Sequence, residues 1–278
     1  MIPLAEINYF SQNFSVPAET IEKDYMISWV LFCLSKSMFK NDFTFYGGTA
    51  IKRIYFEEHR FSEDIDLLSD KKFSLDAILE NLDCLGYALD EANLSLTINK
   101  DNIIIGRDRI QLYVYYVGYD EIIGSPKEIR LDFAMNMDLY GKVNTKKVIE
   151  TYSDLKNRNI NLTVMALNTI LANKLGLLSD RTRNEPRDLF DIWFLLERLE
   201  KFDYDLNEVC NAFKDKYGVR LLVKVIFSYL NSSSMKKNWS IRLNKQIPLL
   251  PDYDSVIKDV KAKLKELFYE ELQEDDSF

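Results

Sequence analysis

Two textures of apolar and polar positions alternate from about Phe43 to Asn136, and they predict different elements. The runs "FTFY", "IDLLS", "LSLTI", "NIIIG", "IQLYVYYVG" and "IRLDFAM" are β-rich, whereas "TAIKRIYFEE" and "SLDAILENLDCLG" place apolar residues at helical spacing. That pattern reads as a mixed sheet with flanking helices. From about Thr163 it turns helical, in "VMALNTILANKLGLLSD", "PRDLFDIWFLLERLE", "LNEVCNAFKDKYG", "RLLVKVIFSYLN" and "YDSVIKDVKAKLKELFYEEL". A further helix is predicted at the N-terminus, in "VPAETIEKDYMISWVLFCLSKSMF". The polar segment "YGKVNTKKVIETYSDLKNRNINLT" separates the two textures. The expected organisation is α+β: a sheet domain over 1–160 and a helical domain over 161–278.

Composition narrows the chemistry. The chain has 278 residues, 47% of them hydrophobic, enough for a packed core in one or two domains. No apolar run reaches the roughly 20 residues of a membrane span, and "MIPLAEINYFSQNF" lacks the pattern of a signal peptide, so no membrane contact and a cytoplasmic location are expected. Cys33, Cys84 and Cys210 are scattered, without metal-ligand spacing, and read as buried thiols. With a single histidine, His59, zinc hydrolysis and histidine-driven triads lose their basis, which leaves carboxylates, lysine or metal to do any chemistry. A net charge of −8 argues against an all-over cationic surface for nucleic acid, though not against local basic patches. The acidic end "EELQEDDSF" reads as a solvated tail.

The span "FYGGTAIKRIYFEEHRFSEDIDLLSD" concentrates the candidate chemistry. Gly47 and Gly48 close a predicted strand just before a helix expected to start at Thr49, which leaves backbone N–H groups at a positive helix end, the makings of a phosphate cradle or simply of a tight turn. Asp64 and Asp66 lie two apart in a strand and share one face, while Ile65 and Leu67 face the core. Two charges about 7 Å apart repel by about 2 kcal/mol at an effective dielectric near 20, so a positive group is expected between them. Asp132, in "EIRLDFAM", shares a face with Arg130 and Ala134. If that strand neighbours the first, three carboxylates converge, an oxygen set that suits Mg²⁺ or Mn²⁺ and leaves positions for phosphates.

A strand, Gly-Gly, a helix, Asp-x-Asp on the next strand and a later strand aspartate resemble the active site of polymerase-beta-type nucleotidyltransferases. The longer "GGTAIKRIYFEEHRFSEDIDLL", with "RDLFDIW" downstream, is similar to the AbiEii/AbiGii toxin branch, over roughly Glu22 to Leu199. Fifteen residues separate Gly48 from Asp64, slightly long for the superfamily but like this branch. The resemblance implies a nucleotidyltransferase-type sheet and a metal-dependent transfer from a nucleoside triphosphate. It places Gly47, Gly48, Thr49 and Ser62 on the nucleotide and Asp64 and Asp66 on Mg²⁺ or Mn²⁺. Asp132 becomes the third carboxylate, with Asp138 a weaker substitute. It further implies Lys174 on the triphosphate, Asp188 or Asp191 as an orienting or acid-base group, a cognate antitoxin and, for some relatives, tRNA as acceptor.

The residues leave other readings open. Asp188 also fits a simple acid in a first helical turn after Pro186, and Arg181, Arg183 and Arg187 form a basic cluster that binds phosphate or faces solvent. "KKNWSIRLNK" interleaves Lys236, Lys237 and Trp239 and reads as a solvated helix face, with RNA docking as the alternative. The rival functions are a glycosyltransferase using Asp-x-Asp and a non-catalytic nucleotide-binding module.

Overall fold

The computed structural model describes residues 1–119, 127–180, 183, 185–230 and 233–269. The chain divides into two compact units, one of Met1–Leu139 with Val143–Met165, the other of Tyr140–Lys142 with the chain from Ala166 onward.

The first unit is built on a mixed sheet of eight strands: β1 (Thr44–Tyr46), β2 (Asp64–Leu68), β3 (Leu96–Ile98), β4 (Ile104–Ile105), β5 (Arg109–Tyr116), β6 (Lys127–Ala134), β7 (Val143–Lys147) and β8 (Asn161–Met165). Their order is β3-β5-β6-β2-β1-β8-β7, with β4 paired to β5. β2 runs antiparallel to β1 and parallel to β6, which puts the two aspartate-bearing strands side by side. Alternation then sorts the faces: Ile65 and Leu67 of β2 and Ile110, Leu112, Val114 and Tyr116 of β5 are buried, while the residues between them are not.

Helices α1 (Leu4–Phe14), α2 (Ala18–Lys36), α3 (Gly47–Ala50), α4 (Leu75–Leu82) and α5 (Gly86–Ala92) complete this unit. Nearly every residue of α2 from Ile21 to Leu34 is buried, including Glu22 and Asp24. The Asp24 carboxylate accepts from Arg53 at 3.1 Å and from the Tyr152 hydroxyl at 2.7 Å, so the buried charge is paired and hydrogen-bonded. Arg53 also donates to the Ile149 carbonyl at 3.1 Å and thereby ties α2, the helix after β1 and the approach to β8 together. That helix runs from Gly47 rather than Thr49, with Gly47 itself at φ +83°, outside the right-handed helical range, and it widens into a π-helical turn over Ile51–Tyr55. Such turns recur near functional sites.

Helices α1 and α5, and strand β7 inside the polar segment, are elements the apolar pattern did not announce, and β8 takes Val164 and Met165 from the run read as helical, so that helix starts at Leu167. The second unit is helical, as predicted: α6 (Leu167–Leu178), α7 (Pro186–Leu196), α8 (Leu206–Tyr217), α9 (Val223–Tyr229), α10 (Ser233–Leu243) and α11 (Tyr253–Leu267). Trp239 of α10 is buried, donates to the Pro251 carbonyl at 2.9 Å and packs on Tyr253, so it is core and offers no ring to a base. Lys236 pairs with Asp254 at the surface. Cys33 is buried while Cys84 and Cys210 are half-buried, and none is in a disulfide. Among the described residues no helix is long and apolar enough to cross a membrane. The acidic end, residues 270–278, lies outside the described residues.

Candidate active site

Strand register brings the predicted carboxylates of the first unit together. Asp66 stands beside Asp132 across the β2–β6 pair, and Asp64 stands beside Arg130. Adjacent strands are about 4.8 Å apart, so all four side chains rise from one patch of one face. The positive groups that electrostatics requires are arginines: Arg130 pairs with Asp64, and Arg109 of β5 grips both oxygens of Asp132. Asp132 is buried while Arg109 is largely exposed. The bond to Asp132, with added attraction from Asp66, raises the Arg109 pKa. Asp138 is exposed beyond the end of β6, away from this register.

The glycine pair is required by close approach. Gly47 adopts φ +83°, in the left-handed region, and a Cβ there would overlap the Asp66 carboxylate. A Cβ on Gly48 would run into the Arg60 guanidinium and come within 3.5 Å of the Ser62 hydroxyl. The turn therefore lays bare backbone against the acids on one side and against Arg60 and Ser62 on the other. Thr49 is buried, and its hydroxyl donates to the Asp64 carbonyl. Its side chain thus fixes β2, leaving only its backbone to a ligand.

In the second unit, Lys174 of α6 lies 2.7 Å from both Asp188 and Asp191 of α7, and Arg183 adds a bond to Asp188 at 2.8 Å. All three members of this lysine-aspartate cluster are buried, Asp191 completely. Burial pushes the Asp188 carboxyl up, but Lys174 and Arg183 outweigh it and hold the pKa below the usual aspartate value. Asp188 is therefore more than an acid at a helix start. Arg187 is half-buried and bonds Glu185 at 3.2 Å. Arg181 lies outside the described residues.

Among the described residues no three histidine, cysteine, aspartate or glutamate side chains converge to hold a metal ion. The donor type is nevertheless that of a hard divalent cation: three carboxylates on one face, of which Asp132 and Asp64 are in charge contact with Arg109 and Arg130.

Residues 29–266 match the family described as nucleotidyl transferase AbiEii toxin, type IV TA system. The chain belongs to the AbiEii family. Solved structures share its fold. MenT4, a nucleotidyltransferase toxin from Mycobacterium tuberculosis H37Rv, aligns with TM-score 0.68 at 16% identity, over 96% of this chain and 90% of its own. JHP933 from Helicobacter pylori aligns with TM-score 0.57 at 18% identity, over 94% and 97%. No match is found among curated protein sequences. As an AbiEii protein the chain is a nucleotidyltransferase of a toxin–antitoxin system, and the sugar-transfer and non-catalytic readings fall away.

Residues beside the candidate clusters of each unit were not all singled out from the sequence. Arg60 is buried against Gly48. Arg109 shares the carboxylates' face with Arg130, which the sequence had already placed beside Asp132, and the same alternation with apolar residues in "RIQLY" is the signal for Arg109. Lys216 of α8 donates to Asn173 at 2.6 Å, and its pKa is lowered to about 8 by burial and by the nearby charges of Arg183 and Lys174.

Proposed function

We propose that this AbiEii protein moves a nucleotide from a nucleoside triphosphate to the 3′ end of an RNA, tRNA being the first candidate, in a Mg²⁺- or Mn²⁺-dependent reaction in the cytoplasm, and that a cognate antitoxin opposes it. The observation that carries this reading is the register of Asp66 beside Asp132, with the side-chain-free backbone of Gly47 against Asp66.

In the reaction the acceptor hydroxyl oxygen attacks the α-phosphorus, its proton leaves, and pyrophosphate departs from the opposite side. The turn at Gly47 and Gly48 admits the phosphates close to the backbone, and Ser62 and Arg60 border them. Asp64, Asp66 and Asp132 are the residues that would hold the divalent cation, which supplies charge neutralisation and a template for in-line displacement when bound. Asp132 holds the acceptor side, because it stands on the strand beyond β2 from the glycine turn. Lys174 is the second unit's candidate for the triphosphate, and Asp188 and Asp191, each 2.7 Å from its ammonium, fix where it sits.

The deciding experiment incubates the protein with Mg²⁺, total RNA and each of four α-labelled triphosphates, beside an Asp64→Ala, Asp66→Ala variant. Label entering RNA with wild type alone is expected, and it names both nucleotide and acceptor size. Absence of label with every triphosphate, despite metal-dependent nucleotide binding, shifts the acceptor from RNA to protein.

A further inference from the structure

The strand order separates the two sides of the reaction, and this inference rests on the nucleotidyltransferase reading above. The glycine turn follows β1 and lies against Asp66 of β2, so the triphosphate belongs over β1 and β2. Asp132 lies one strand further, on β6, and β5 follows it. An acceptor whose hydroxyl is presented at Asp132 therefore extends over β5.

The residues β5 presents on this face are Arg109, Gln111, Tyr113 and Tyr115, all at least partly exposed between buried Ile110, Leu112, Val114 and Tyr116. Gln111 continues the row of Asp66 and Asp132, Tyr113 continues the row of Asp64 and Arg130, and Tyr115 stands beside Glu128. The Tyr115 hydroxyl accepts from the Asn99 amide, which fixes that ring. Charge is sorted along the strand. Arg109 and exposed Arg107 stand at its start, while Glu128 stands beside its far end. A folded protein gains little from two half-open tyrosines beside arginines, whereas a single strand of nucleic acid uses both: rings stack bases and guanidinium groups meet phosphates.

We propose that the β5 face is the acceptor subsite, where Tyr113 and Tyr115 stack the terminal bases of a single-stranded RNA end and Arg107 and Arg109 meet its phosphates. The exposed bases of such an end suit this surface, whereas a paired helix conceals them.

The test measures binding of a fluorescein-labelled, eight-nucleotide single-stranded RNA, and separately of each triphosphate, to wild type, to the Tyr113→Ala, Tyr115→Ala double variant and to the Tyr113→Phe, Tyr115→Phe double variant. The alanine pair is expected to weaken RNA binding by about tenfold or more, with triphosphate affinity within twofold of wild type. The phenylalanine pair, which keeps both rings and the packing, is expected to stay within about threefold. RNA affinity unchanged in the alanine pair overturns the proposal, as does an equal loss in the phenylalanine pair or a wild type that does not bind the RNA. The label-transfer assay separates this from the parent reading. RNA binding that depends on the rings without any label transfer leaves the subsite standing and removes the reaction, whereas label transfer with an unchanged RNA KM in the alanine pair does the reverse.

Discussion

Gly47 shows how much of the site depends on a missing atom. Its φ of +83° and the Asp66 carboxylate against its α-carbon oppose any side chain, so Gly47→Ala must strain the backbone or push Asp66 off its row. The expected cost is about 1–3 kcal/mol of stability, with a larger loss of transfer activity than of triphosphate binding, read from denaturant melts beside the label assay. Lys52, on the π-helical turn that follows, makes a different prediction. It is buried, donates to the carbonyls of Glu57 and His59 at 2.9 and 3.1 Å, and lies over the Phe61 ring. Burial lowers its pKa to about 8, against 10.5 when free. Below pH 8 the ammonium is charged in both states and the fold bears the full desolvation cost. Between pH 8 and 10.5 the unfolded chain holds the extra proton, so stability rises with pH and then levels off. Lys52→Met has no such proton, and the stability of wild type relative to this variant is expected to improve by about 3 kcal/mol from pH 7 to 10.5. Melts of both proteins at the two pH values check it, and a flat difference contradicts the assignment.

At the scale of elements, the lysine-aspartate cluster between α6 and α7 makes the sharpest case. Lys174→Met leaves Asp188 and Asp191 buried without their shared cation, an expected loss of about 3–5 kcal/mol at neutral pH. In wild type the lowered Asp188 pKa stabilises the fold above the ordinary aspartate range and is lost on acidification through the folded value. In the variant both carboxyls are pushed up, so protonation relieves it, and the gap between the proteins is expected to narrow from pH 7 to pH 4.5 in denaturant melts. The same elements show what could be read in advance. β2, β5 and β6 were legible because each alternates apolar with polar residues and has one buried face, and "RDLFDIW" was legible as a helix start through Pro186. β7 was not, because all five of its residues, Val143 to Lys147, are exposed on a sheet edge with no apolar face. β8 was hidden by its polar flank, and its parallel pairing with β1 is a long-range fact that no local pattern carries. The three aspartates could be named from the sequence, and Arg130 as a residue on the face of Asp132, but not which cation each acid pairs with. The partners of Asp64 and Asp132, Arg130 and Arg109, lie 66 and 23 residues away and are set by register.

The whole molecule carries a net charge of −8 and a sequence pI near 5.0, which constrains how it can meet RNA. An acidic protein cannot hold a polyanion through its overall field, so affinity must come from a few local cations and from stacking. At the proposed subsite those cations are Arg107 and Arg109, which are paired with Asp108 and Asp132 before any ligand arrives. Two phosphate contacts predict a salt dependence of slope about −1.4 in a plot of log affinity against log salt, at roughly 0.7 per contact for a single strand. The stacking contribution carries no counterions, so the tyrosine-to-alanine pair is expected to lower affinity at every salt concentration while keeping that slope. Arg107→Gln should instead reduce the slope by about 0.7 with a smaller change at high salt. RNA titrations from 50 to 300 mM salt separate the two effects, and a slope of −5 or steeper would place the main RNA contact on a basic surface other than β5.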